Sequence, residues 1–145
     1  MAYLAAGVAV VIDPTAGRLD NAPSELIADE PVKRRLRLEW ILATHVHADH
    51  VSGAQHLRER LGGRVAIGGR FVEVQETFVS VCNEDGRFQR NGSQFDYLCA
   101  PDKVFSAGFI LARAIPTPAH TPACMSYLIG DAVFVGDSIF MPDFG

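Results

Sequence analysis

Apolar positions fall along the chain in short blocks, each ended by turn-forming residues. Gly7-Val8-Ala9-Val10-Val11-Ile12 is a β-branched run and predicts a buried strand. The apolar stretch 1–11 lacks a basic start and stops at Asp13-Pro14, so it reads as strand rather than a leader. Asp13-Pro14-Thr15-Ala16-Gly17 supplies turn chemistry. Ser24 is placed to cap a short helix over 25–30, which Pro31 should break or restart. Residues 38–44 form the next predicted strand, and 51–61 a helix with Ala54, Leu57 and Leu61 on one face. Gly62-Gly63 would stop that helix, and His56 sits on its polar side as a surface histidine. A short strand over 64–67 follows. Phe71, Val74, Phe78, Val81 and Cys82 then recur at helical spacing, and 83–94 is a polar loop.

The last third alternates strands and turns. Residues 103–105 and 109–115 flank Gly108 as a hairpin, and 125–129 and 132–135 flank Gly130-Asp131 as another. Between them Pro116-Thr117-Pro118-Ala119-His120-Thr121-Pro122 is excluded from regular structure by its three prolines. Strands and helices alternate early and hairpins follow, which predicts an α/β layer architecture in a single domain spanning 1–145.

Composition narrows the class. A hydrophobic share of 48% and a charged share of 21% describe an ordinary globular chain. The net charge of −4 and the single short basic run, Lys33-Arg34-Arg35-Leu36-Arg37, argue against nucleic-acid binding. No apolar run reaches membrane-spanning length. Cys82, Cys99 and Cys124 are odd in number and not closely paired, which favours a reducing cytoplasm over a disulfide framework.

Chemistry concentrates after the third predicted strand. Thr44-His45-Val46-His47-Ala48-Asp49-His50 packs three of the five histidines and an aspartate into one short stretch. His120 lies in the proline-stiffened loop, and Asp137 follows Gly136, whose lack of a Cβ allows a sharp turn and close approach. All of these residues sit at predicted strand ends, where a sheet edge can bring distant ligands together. Imidazole and carboxylate without thiolate suit zinc, iron or manganese. Two histidines and one carboxylate on one face would suit a non-haem Fe(II) centre, and three histidines with an open position a catalytic zinc. Ligand type leaves both open.

The HVHADH run, the downstream Thr-Pro-Ala-His-Thr and the later Gly136-Asp137 together resemble the metallo-β-lactamase superfamily. Within it the chain is most similar to the bacterial persulfide dioxygenases, through Val74-Gln75-Glu76-Thr77-Phe78, Asn91-Gly92-Ser93-Gln94-Phe95-Asp96 and the stretch 120–145. Glyoxalase II-type thioesterases usually carry a second histidine four residues after the position of His120; here that residue is Cys124, as in the dioxygenases. The resemblance implies an αββα sandwich of which this chain matches the N-terminal half. It implies Fe(II) held by His47, His120 and Asp137, with His45 beside the site and Asp49 and His50 shaping a vacant second-metal position. In zinc hydrolases of the same fold, His45, His47 and His120 would hold one ion, Asp49 and His50 would help hold another, and Asp137 would bridge. Asp49 is also the candidate to orient an imidazole in catalysis.

The implied reaction is oxidation of a glutathione-type persulfide by O₂ to sulfite and thiol. The alternatives are a zinc-dependent thioester hydrolase and an inactive metal-site fragment. The expected partners are a small thiol or persulfide and O₂, with homodimerisation as the oligomeric option. Two departures from the family pattern carry structural consequences. Ala119 stands where glycine is usual, which strains the loop if that position needs a positive φ. The family also continues past residue 145, so the half-sandwich is expected to expose an apolar sheet face.

Overall fold

The β-branched and aromatic runs build two sheets. The computed structural model describes residues 1–5, 7–16, 22–46, 52–82 and 91–139, with the side chains of 3, 5, 22 and 78–82 left aside. The first sheet has the order β1 (Ala2–Ala5), β2 (Val8–Ile12), β3 (Arg37–Leu42), β4 (Arg64–Gly68), β5 (Tyr97–Cys99). The stretch expected as one strand is a hairpin: β1 runs antiparallel to β2, with Gly7 next to the turn. From β2 to β5 the strands are parallel. Parallel neighbours need crossovers, and α1 (Ala22–Lys33), α2 (Ala54–Leu61) and α3 (Phe71–Cys82) provide them. The second sheet, β6 (Val104–Ala107), β7 (Ile110–Pro116), β8 (Met125–Ile129) and β9 (Ala132–Phe134), is antiparallel throughout. Both hairpins expected from Gly108 and Gly130 are present.

Side-chain alternation divides the core into two layers. Ala9, Val11, Leu38, Ile41 and Val65 face the helices and pack on Ala28 of α1 and Ala54 and Leu57 of α2. Val10, Ile12, Trp40, Leu42 and Ala66 face the second sheet and meet Ala112, Ala114, Met125, Tyr127 and Ile129. A bulge reconciles the two sets. Ala9 pairs with Leu38 but Val10 pairs with Trp40, so Glu39 is the extra residue. In a regular strand Leu38 and Trp40, two residues apart, would share a face; the bulge sets them on opposite ones. The Glu39 carboxylate accepts the Gly108 amide at 2.8 Å, which ties the bulge to the β6–β7 turn.

Two local expectations need correction. Ser24 is not a cap: it lies inside α1, fully buried, and its hydroxyl donates to the Thr15 carbonyl at 2.9 Å. Pro31 does not break the helix, which winds on to Lys33. The proline lacks only the one N–H that would reach back a turn, and the next turn is held by Arg34 N–H on Glu30 O and Leu36 N–H on Pro31 O. The helix expected over 51–61 begins at Ala54 and stops at Gly62, whose φ of +74° ends it. His56 lies at the α1–α2 contact, its Nε2 2.6 Å from Glu25 Oε1.

The observed layers are helix, sheet, sheet. On the outer face of the second sheet Val104, Leu111 and Val133 are exposed, as the half-sandwich reading expected. None of the helices among the described residues is long and apolar enough to cross a membrane.

Candidate metal centre

Parallel strands point their carboxyl ends to one edge of a sheet, and ligand sites form there. At this edge β2 runs out into Asp13 and β3 into Thr44 and His45. The second sheet brings the 117–124 loop, which joins β7 to β8, and the 3₁₀ turn Gly136–Ser138, which follows β9. The Met125 amide donates to Thr44 O at 2.8 Å, so the two edges are bonded where they meet.

His45, His120 and Asp137 converge there, with one ligand atom from each lying within 4.8 Å of the others. His45 Nε2 stands 3.3 Å from Asp137 Oδ2, and the His45 and His120 rings meet edge-on at 5.1 Å between centroids. Ligands about 2.0–2.1 Å from an ion in tetrahedral array lie about 3.3–3.4 Å apart. The His45–Asp137 pair already has that spacing, and His120, which is exposed, has a ring nitrogen within 4.8 Å of both. Two imidazoles and a carboxylate therefore fit a divalent metal.

The protonation of His45 is set from behind. Asp13 Oδ1 accepts the Thr44 amide at 2.8 Å, and Oδ2 accepts the Thr44 hydroxyl at 2.8 Å. That hydroxyl has given its proton to a carboxylate, so at 2.9 Å it can only accept from His45 Nδ1–H. A proton therefore sits on Nδ1, and Nε2 is the ring atom directed at Asp137 and His120. Thr44 and His45 are both buried, so this proton is held away from water. The sequence reading treated Asp13 as turn chemistry and missed its role. The available signal was an aspartate closing one parallel strand beside a Thr-His pair closing the next.

Asp137 depends on its neighbour Gly136. Gly136 has φ +55°, and a Cβ there would sit 2.1 Å from Thr44 Oγ1. Glycine thus supplies both the turn and the close approach that brings Asp137 to His45. Ser138 Oγ donates to Thr117 O at 3.3 Å, linking this turn to the His120 loop. Ala119 carries no strain, since the positive-φ non-glycine residues among the described ones are Asp13, Arg35 and Asp102. Cys124 is buried and turned onto its own loop, its sulfur accepting the Thr121 amide at 3.0 Å.

His45, one of the candidate ligands, is among the three residues of the cluster. His47, Asp49 and His50 lie outside the described residues.

The model of the metallo-β-lactamase superfamily matches residues 2–145. The chain belongs to that superfamily. Within the superfamily, it is 44% identical to Glyoxylase B2 of Dictyostelium discoideum over 89% of this chain and 45% of that protein. It is 35% identical to a hydroxyacylglutathione hydrolase of Acidiphilium cryptum over 72% of this chain and 36% of the hydrolase. The crystal structure of ETHE1 from Myxococcus xanthus superposes with a TM-score of 0.70 at 25% identity, covering 97% of this chain and 52% of ETHE1. The chain spans about half or less of the length of each of these proteins.

Proposed function

We propose that this chain carries the metal centre of a persulfide dioxygenase that uses Fe(II). The supporting observation is the donor set: His45, His120 and Asp137 are the only group of His, Cys, Asp and Glu among the described residues gathered closely enough to hold an ion. Two imidazoles and one carboxylate are a donor set that suits Fe(II) and O₂. Bound iron would supply the O₂ redox chemistry, leaving the protein to bind, orient and exclude water.

The reaction balances as one persulfide, one O₂ and one water giving one thiol and one sulfurous acid. The terminal sulfur goes from −1 to +4: O₂ accepts four of its electrons, and the inner sulfur takes the fifth as the S–S bond breaks and it leaves as R–SH. Asp13 and Thr44 keep His45 Nδ1 protonated and its Nε2 available as a donor. Cys124, held by Thr121, stays out of the donor set. The likeness to ETHE1 along nearly the whole chain adds weight to this reading.

A second reading, a zinc-dependent thioester hydrolase, is favoured by the names of the Acidiphilium and Dictyostelium relatives. Elemental analysis of the purified chain, with O₂-electrode and sulfite assays on glutathione persulfide, separates the two. Iron, with sulfite formed in proportion to O₂ consumed, is the expected result. Zinc, with thioester hydrolysis and no O₂ uptake, would overturn the dioxygenase reading.

A further inference from the structure

The two sheets each bring part of the metal cluster, so something must fix one sheet's ligand against the other's. His45 comes from the end of β3 in the first sheet, while His120 and Asp137 flank the β8–β9 hairpin of the second. The contact between them centres on the Ala43 peptide, two residues before His45. Its N–H donates to Ala66 O at 2.8 Å, within the first sheet. Its carbonyl lies past the end of the β3 ladder and receives the Tyr127 hydroxyl of β8 at 3.0 Å. The next carbonyl, Thr44 O, takes the Met125 amide from the same strand.

We propose that Tyr127 is a positioning residue of the metal centre, its hydroxyl holding the Ala43 carbonyl and so setting His45 against His120 and Asp137.

The ring alone does not account for a tyrosine here. Tyr127 is fully buried, and its inward-facing neighbours Ala112, Ala114, Met125 and Ile129 are all apolar. Its ring meets Phe105 edge-on at 6.5 Å between centroids, a contact phenylalanine would keep. A buried hydroxyl is costly unless bonded, so its retention in this layer needs a partner. The Ala43 carbonyl is that partner: the Tyr127 hydroxyl donates to it at 3.0 Å. One bond thus runs from β8 of the second sheet to the end of β3 in the first.

This inference rests on the metal-centre reading, and the experiment separates the two. Co(II) is titrated into the wild-type chain and into Tyr127→Phe, Cys99→Ala and Ile129→Val, following the visible d–d bands, with thermal melts of the metal-free proteins. Tyr127→Phe is expected to bind Co(II) about tenfold more weakly, the scale of losing a group that orients a metal ligand, and to show an altered band envelope. Ile129→Val removes a methylene from the same strand and core, and is expected to lower the melting temperature while leaving affinity and spectrum unchanged. Cys99→Ala alters the same core layer without touching the bond to Ala43 and is expected to keep wild-type affinity and spectrum. If Tyr127→Phe does not fold, 3-fluorotyrosine in place of tyrosine, which changes the hydroxyl's donor strength and little else, decides the matter, a shifted band envelope supporting the role and an unchanged one overturning it. Wild-type affinity and spectrum in Tyr127→Phe, or an equal loss in Ile129→Val, would overturn the positioning role alone. No Co(II) binding by the wild-type chain would overturn the metal-centre reading with it.

Discussion

Thr44 is the residue on which the candidate centre turns. Its amide and hydroxyl are both taken by Asp13, and its oxygen holds the His45 ring. Thr44→Val keeps the shape and removes the hydroxyl, leaving Asp13 Oδ2 and His45 Nδ1 without that partner. Bonds to charged groups are worth about 1.5–3 kcal/mol, so a loss of roughly 2 kcal/mol in a urea melt is expected. Metal affinity should fall about 10–100-fold, read by competition with a chromogenic chelator. Thr44→Ser restores the hydroxyl and should recover most of both. A variant that loses stability but keeps wild-type affinity would show that the hydroxyl serves folding alone.

Cys99 gives a prediction in pH at the same scale. Burial pushes its thiol up from 9.0 to about 11. The unfolded chain therefore releases this proton near its ordinary value while the folded chain holds it. Stability from this group is complete below that value and is lost as pH rises through the folded one. Tyr127, raised by the same burial, acts in the same direction at higher pH. Urea midpoints taken from pH 8 to 11 should fall for the wild-type chain and fall less for Cys99→Ala. Parallel profiles would remove Cys99 from the account.

At the scale of elements, periodicity located what repetition makes visible. The helix over 71–82 shows in Phe71 and Val74 at helical spacing, and the two hairpins of the second sheet show in Gly108 and in Gly130-Asp131 with their flanking runs. β5 escaped notice because three residues at a sheet edge carry no period. β1 merged with β2 because both are apolar and the turn at Gly7 has no polar flank. Ser24 misled because its hydroxyl is satisfied by Thr15, a tertiary partner that local capping rules do not include. The candidate site divides in the same way. His45, His120 and Asp137 were legible as residue types at strand ends. Asp13 and Tyr127 were not, since each acts on a backbone or hydroxyl group from a separate strand, and that pairing exists only after the sheets form.

For the whole molecule, the exposed face of the second sheet is the main consequence of its layering. Val104, Leu111 and Val133 lie on a surface that a monomer in water has reason to cover. Sedimentation velocity over a concentration series is expected to show self-association of this chain, reduced in Leu111→Lys/Val133→Lys. Neither residue touches the metal cluster, so Co(II) affinity should be unchanged. Equal sedimentation of both proteins would show that this face does not drive association.

The bulge at Glu39 also gives the chain a reading frame. Ala9 faces Leu38 and Val10 faces Trp40, so Glu39 is the one residue of β3 with no counterpart across the ladder. Deleting it should leave Leu38 toward the helices and Trp40 toward the second sheet, at the cost of the bond to Gly108. Deleting any residue from 40 to 43 instead moves His45 back one position and turns its ring away from His120 and Asp137. Tolerance to single-residue deletion should therefore change sharply along six residues of strand, with metal binding retained at one position and abolished at the next. A deletion scan scored by Co(II) uptake would map that frame directly.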